Sequence, residues 1–236
     1  MKRFTTYYLP ALPALSVLTI ILGVVGQPAQ AASYGQRLCE KDARYICHKV
    51  QKGENWDSLF SDATEQDTVR RINRMNIDLS RGMVIAIPKD SYLTVMDVSP
   101  FPKQINSSPT SQIIFDSSEL AWGAYNPNGE LVKWGPAAGG KDYCPDIHRS
   151  CKTVNGTFTV YRTKGEECVS SKFPVNKGGA PMPYCMFFHG GFALHGSPNV
   201  PGYNASHGCV RLFTEDAEWL NEEFVDVGRT KVTVRP

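Results

Sequence analysis

The last fifth of the chain gathers the residue types that acyl transfer needs. In HGSPNVPGYNASHGCVRL, residues 195–212, Cys209 stands two residues after His207 and shares the stretch with His195, Ser206 and Arg211. A cysteine nucleophile needs an imidazole or a cation nearby to favour the thiolate. It needs a base held in place by a third group, and donors for the oxyanion of the tetrahedral intermediate. In an extended segment His207 lies on the same side as Cys209. His195 ends the apolar run FALHG, which reads as a strand able to carry the imidazole rigidly. Gly208 lets the backbone approach a substrate closely. The N–H groups of Cys209, Gly208 and His207 are candidate oxyanion donors, and Arg211 offers a fork for a carboxylate.

Two other readings of Cys209 compete. A cysteine in an exported chain is most often a disulfide partner. His207, Cys209, His195 and His189 are also zinc-ligand types, although His-Gly-Cys lacks the usual spacing of zinc sites. The nucleophile reading expects a free thiol of lowered pKa. His189 reads as a site-wall or surface residue, and His48 and His148 as solvated histidines without chemical company.

The cysteine count bears on the choice. There are seven: Cys39, Cys47, Cys144, Cys151, Cys168, Cys185 and Cys209. An odd number leaves at least one thiol without an intramolecular partner. Nearest-neighbour pairing would join Cys39–Cys47, Cys144–Cys151 and Cys168–Cys185, one scheme among about 15 for six cysteines. An oxidising compartment is implied by the amino terminus. Lys2 and Arg3 precede an apolar stretch from Tyr7 to Val25, and QPAQAAS follows with Ala29 and Ala31 in the small-residue pattern of a cleaved signal. The rival, an uncleaved anchor, is disfavoured by Pro10, Pro13 and the short firmly apolar core. Cleavage after Ala31 leaves 205 residues and removes two basic groups and no acidic one, so the formal charge falls from +2 to zero. With no basic block, nucleic acid is a poor partner. Nothing later is long and apolar enough to span a membrane, so no stable span is expected after cleavage.

Two regions differ in patterning. After a polar lead-in at 32–44, Tyr45–Val50 alternates like a short strand and Gly53 makes a turn. Trp56, Leu59 and Phe60 and then Val69, Ile72 and Met75 fall at helical spacing, and MVIAIP closes a second strand. Residues 97–111 are rich in Pro, Ser and Asn, as a linker or an irregular entry into the next domain would be. Beyond them QIIFD, LAWGAYN, ELVKWGP, GTFTVYR and YCMFFHGGFALHG are short apolar runs between turn signals, an all-β pattern of sandwich or barrel type. One helix is expected over TEDAEWLNEEFVD with Thr214 as its cap. TKVTVRP reads as an edge strand.

These motifs resemble known families. His195-Gly196, then Ser206-His207-Gly208-Cys209-Val210-Arg211, is similar to the signature of the L,D-transpeptidase catalytic domain, the YkuD-like family. GGKDYCPD, TVNGTFTVYR and MPYCMFFHGGFALHG are similar to its approach to the site. Residues 45–90, through KGEN, NRMN and RGMVIAIP, resemble a LysM module, with Glu54-Asn55-Trp56 departing from the usual Asp-Thr-Leu. The resemblance implies a mainly β fold: a β-sandwich or barrel-like catalytic domain at 111–236 with one carboxy-terminal helix. A signal at 1–31, a lead-in at 32–44, a small βααβ LysM-like domain at 45–90 and a linker at 91–110 precede it. It implies Cys209 as nucleophile, His195 as base, the Gly196 carbonyl as orienter of the imidazole, and Ser206, His207, Gly208 and Arg211 around the substrate, with no metal or cofactor. The ten residues between His195 and Ser206 are shorter than in most members, and Val154 replaces a common proline. The implied partners are peptidoglycan stem peptides and glycan strands, with an anchored lipoprotein as a further acceptor, in the periplasm or cell wall. Two rival functions are a non-catalytic LysM-type wall-binding protein and a papain-like cysteine amidase. The second ordinarily needs a histidine after its cysteine, and none follows Cys209.

Overall fold

Side chains cap each of the first three helices. In α1 (Tyr34–Lys41) the Ser33 hydroxyl accepts from the Gln36 N–H at 3.2 Å. In α2 (Trp56–Leu59) Asn55 and Ser58 cap each other reciprocally. In α3 (Ala63–Ile72) Asp62 accepts from the Glu65 N–H at 2.8 Å. Each cap satisfies amide donors that a helix start leaves unpaired. The computed structural model describes residues 1–2, 33–171 and 179–236. Apart from Met1 and Lys2, the expected export signal lies outside the described residues.

β1 (Tyr45–Lys49) pairs antiparallel with β2 (Val84–Pro88), so residues 45–88 run strand, helix, helix, strand. Trp56, Phe60, Val69, Met75 and Ile85 form a small core between them. Asn73 is buried and ties helix to strand, donating to Val69 O and Ala86 O and accepting from the Ala86 N–H, each at 2.8 Å. α1 occupies the stretch read from the sequence as a polar lead-in. Its eight residues offer just Tyr34, Leu38 and Cys39 as apolar groups, too few for a periodic signal. The Cys39–Cys47 disulfide and the packing of Leu38 near Tyr45, Ile72 and Ala86 secure it.

The remaining strands join in one sheet. They are β3 (Gln112–Asp116), β4 (Ala121–Tyr125), β5 (Leu131–Ala138), β6 (Gly156–Thr159), β7 (Arg162–Thr163), β8 (Met186–His189), β9 (Phe192–Gly196), β10 (Val210–Leu212) and β11 (Lys231–Arg235). Their spatial order is β6-β11-β3-β4-β5-β10-β9-β8-β7. The sheet curls until its two ends meet: Phe158 of β6 and Phe188 of β8 lie 5.7 Å apart, ring to ring. Inside the curl, Ile113, Phe115, Trp122, Leu194, Val210, Leu212, Val232 and Val234 form one buried core. Fully burying a side chain such as Phe115 stabilises the fold by roughly 2–3 kcal/mol before entropy is counted.

Three expectations change. β11 is not an edge strand: it lies between β3, parallel, and β6, antiparallel. GTFT supplies the outer partner, a four-residue strand with one apolar side chain, Phe158, and so little signal of the pairing. Thr214 is the first residue of α4 (Thr214–Trp219), not its cap. Phe213, fully buried, takes the capping position without a side-chain bond. Residues 91–110 are packed rather than free. Phe101 is buried against Leu131, Trp134 donates to Val95 O at 2.7 Å, and Ile105 N–H donates to Gly129 O at 2.8 Å. From Ala32 on, the chain is one compact unit.

Candidate active site

Strand register brings the candidate residues together. β9 and β10 are parallel neighbours, with Val210 opposite Leu194, Arg211 opposite His195 and Leu212 opposite Gly196. Alternation then divides the side chains. Leu194, Val210 and Leu212 point into the main core. Ala193, His195, Cys209 and Arg211 share the other face. There Cys209 is half-buried and packs on the cluster of Met182, Phe187, Ala193 and the Cys168–Cys185 bridge.

His195 is buried, and its Nδ1–H donates to the Gly196 carbonyl at 2.9 Å. A carbonyl only accepts, so this bond selects the tautomer that leaves Nε2 with its lone pair. The peptide plane carrying that carbonyl is held from its other side, where the Ser197 N–H donates to Leu212 O at 2.9 Å. Gly196 is needed for closeness: a Cβ there would stand 3.0 Å from Thr214 Cα.

A tight turn presents Cys209. The buried Ser206 hydroxyl donates to Cys209 O at 2.5 Å and accepts from the Gly208 N–H at 2.9 Å. Its side chain and the Gly208 N–H are therefore spent within the turn, which removes Gly208 from the candidate oxyanion donors. Thr153 donates to Gly208 O at 2.9 Å. Gly208 adopts φ +126°, and a Cβ there would fall 2.8 Å from the Phe192 ring. Gly208→Ala should thus destabilise the protein by about 1–3 kcal/mol and slow Cys209 alkylation. Thermal unfolding and iodoacetamide kinetics measure the two effects, and an unaltered variant would show that the turn is not strained.

His207 is exposed and its Nε2 lies 2.8 Å from Asp146 Oδ2, beside the Cys144–Cys151 bridge. The half-buried Arg211 donates to Asn199 O at 3.3 Å. His189 is exposed, its ring 4.6 Å from that of Phe158. His48 is not without company: its Nε2 lies 2.8 Å from Glu54 Oε2. His148 is exposed in the loop closed by the Cys144–Cys151 bridge. Of the zinc-ligand types considered, the group that converges among the described residues is Cys144, Cys151 and His207, within 4.8 Å of one another. The two sulfurs there are joined in a disulfide, so the ligands imagined around Cys209 do not assemble.

Burial governs the titration of the pair. It pushes the Cys209 thiol up, against the opposing effects of the Ala193 N–H and the Arg211 charge. This reverses the lowered pKa expected from sequence, because desolvation of the sulfur outweighs both. Burial pulls His195 down to about 4, with the Gly196 bond opposing and Arg211 adding to the fall. At neutral pH the resting pair is thus thiol and neutral imidazole. The sign for stability follows from linkage. The unfolded histidine takes its proton near 6.5 and the folded one near 4. This group leaves stability unchanged above 6.5 and subtracts from it as pH falls between those values. Thermal unfolding from pH 7 to 4 should show a decline that His195→Gln lessens; identical profiles would contradict the assignment.

Sequence reasoning missed Asp146, Thr153 and Asn76, whose partners lie 61, 55 and more than 120 residues away. No local pattern signals such pairs.

The model of the YkuD family, the L,D-transpeptidase catalytic domain, matches residues 111–234. No curated protein matches the chain significantly. Among solved structures, residues 123–326 of an L,D-transpeptidase from Xylanimonas cellulosilytica DSM 15894 are similar over 87% of this chain and 96% of that one, at 22% identity and a TM-score of 0.52. An L,D-transpeptidase from Stackebrandtia nassauensis matches over 58% of this chain and 62% of that one, at 22% identity and TM-score 0.46. One from Mycobacterium smegmatis matches over 53% and 58%, at 22% and 0.44. This chain spans less than two thirds of the last two.

Proposed function

On the premise that the chain belongs to the L,D-transpeptidase catalytic-domain family, we propose that it is an exported acyltransferase that remodels peptidoglycan through a Cys209 thioester. The observation that carries this reading is a free Cys209 on the same sheet face as His195, whose tautomer is set by the Gly196 carbonyl. In the first step Cys209 Sγ attacks the carbonyl between meso-diaminopimelate and D-alanine in a tetrapeptide stem. His195 Nε2 takes the thiol proton as the C–S bond forms. The resting site holds a neutral thiol and a neutral imidazole, so Nε2 carries a lone pair for that proton at neutral pH. The C–N bond then breaks, and the imidazolium returns the proton to the departing amine of D-alanine. In the second step the side-chain amine of another stem attacks the thioester. Its proton passes through His195 to the leaving thiolate, and a 3–3 cross-link results. Splitting one acyl transfer into two lowers each barrier. Cys209 N–H and His207 N–H remain the candidate oxyanion donors, and Arg211 the candidate partner for a stem carboxylate.

The acceptor defines the product: water gives a carboxypeptidase outcome, and a lipoprotein lysine gives attachment to the wall. The three disulfides fit an oxidising compartment such as the periplasm or cell wall. The βααβ module, with its exposed turn around Gly53, is a candidate LysM-type site for glycan strands. The test is incubation of the mature chain with a disaccharide-tetrapeptide. Release of D-alanine with a dimeric muropeptide product supports the reading, and a chain that releases none refutes it.

A further inference from the structure

The turn that leaves α3 runs into the loop between the proposed base and nucleophile. α3 ends with Met75 N–H on Arg70 O and Arg74 N–H on Arg71 O, both at 3.1 Å. This paired cap ordinarily puts glycine in its left-handed position. Here the position holds Arg74 at φ 58°, a conformation that disfavours side chains. Its guanidinium accounts for the choice. It is buried between the rings of Tyr34 and Trp134, at 4.6 and 4.8 Å, and donates to Glu119 O at 2.9 Å and to Arg71 O at 2.6 Å. The turn is thereby anchored to the large sheet.

The next residues reach the loop that follows Gly196. Met75 bridges Pro201. Asn76 N–H donates to Val200 O at 3.0 Å, its Nδ2 donates to Ser197 O at 2.8 Å, and its Oδ1 accepts from the Val200 N–H at 2.8 Å. Ser197 shares its peptide plane with the carbonyl that orients His195, and Asn199, one residue before Val200, accepts from Arg211. We propose that Asn76 is a positioning residue for His195 and Arg211, and that the amino-terminal module is a structural wall of the site rather than a separately tethered binder. The proposal rests on the reading of His195 as the base. Without Asn76 the Ser197 carbonyl and Val200 N–H lose their partners. The loop can then shift, and small misplacements of a base are costly to rate.

The test is alkylation of Cys209 by iodoacetamide in the full mature chain, which needs no natural substrate. Asn76→Ala should slow it about tenfold and lower kcat for D-alanine release by a similar factor, with KM changed less than about twofold. Asn76→Asp keeps the acceptor for Val200 but cannot donate to Ser197, and should also be slow, which covers the case in which the alanine variant fails to fold. Tyr34→Phe removes a hydroxyl from the same interface without touching the loop, and should lower the melting temperature while leaving alkylation unchanged. A wild-type alkylation rate in a folded Asn76 variant, or an equal slowing in Tyr34→Phe, would overturn the proposal. If the wild type releases no D-alanine while Asn76→Ala still slows alkylation, the proposed function fails and the positioning role stands.

Discussion

Replacing Cys209 with serine is expected to abolish thioester formation and to lower D-alanine release by at least about 10³-fold. The protein should still fold. Cys209 makes no disulfide, and its neighbours in the turn are held by Ser206 and Thr153, whose bonds run to the backbone and do not involve the sulfur. A serine hydroxyl fits the space, but it is a far weaker acid than a thiol. A base whose pKa burial has pulled to about 4 is poorly matched to take its proton. His195→Asn should cost about 10²- to 10⁴-fold for the complementary reason, since the thiol, pushed up by burial, then has no base to take its proton. The two losses should not add, because the residues act as a unit. Rates of D-alanine release and thermal unfolding of both variants check these outcomes. Near-normal turnover in Cys209→Ser would place the chemistry elsewhere.

The second large effect concerns stability. Arg71 of α3 makes a paired contact with Asp216 of α4, Nη1 to Oδ2 at 2.8 Å and Nη2 to Oδ1 at 3.1 Å. Asp216 is fully buried and Arg71 nearly so, and Lys133 Nζ also lies 3.3 Å from Asp216 Oδ1. Removing one member of such a pair strands a desolvated charge. Asp216→Ala should therefore destabilise the protein by about 3–5 kcal/mol. At this chain length that corresponds to a fall in melting temperature on the order of 10 °C. The apolar double replacement Arg71→Met with Asp216→Leu should recover much of the loss, because a well-packed apolar pair carries no desolvation cost. Asp67, 2.8 Å from Arg71 Nε but far more exposed, cannot substitute for Asp216. Thermal denaturation of the single and double variants measures this. A loss below about 1 kcal/mol in Asp216→Ala would show that water reaches the pair.

What the sequence discloses follows from how local each signal is. His195 and Cys209 are legible because they lie in one short stretch whose extended segments align in adjacent strands. The three disulfides follow nearest-neighbour order, with separations of 8, 7 and 17 residues. Most strands of the sheet are legible too, as short apolar runs between turn residues, whereas the three-residue β10 and two-residue β7 are too short to give such a signal. The partner of β11 is not, because pairing of GTFT with a strand over 70 residues away leaves no trace in either segment. Nor is the joint between the two halves. Arg71 and Asp216 are 145 residues apart, and Asn76 and Val200 are 124 apart. The Pro- and Ser-rich composition of residues 97–111 leaves a linker and an irregular entry into the next domain equally open, and it does not show that Phe101 and Ile105 lie against the sheet with Trp134. The pKa of Cys209 also escapes the sequence, since two cationic or imidazole neighbours suggest a thiolate while the actual shift is set by burial.

The central claim is that Cys209 alone is the acylated residue. Intact mass spectrometry of the mature, non-reduced chain, before and after incubation with a thiol-reactive carbapenem, tests it most directly. The account predicts one adduct per chain, carried by the peptide containing Cys209, with the other six cysteines still in their three bridges. An unmodified Cys209, or an adduct carried by another residue, would contradict it.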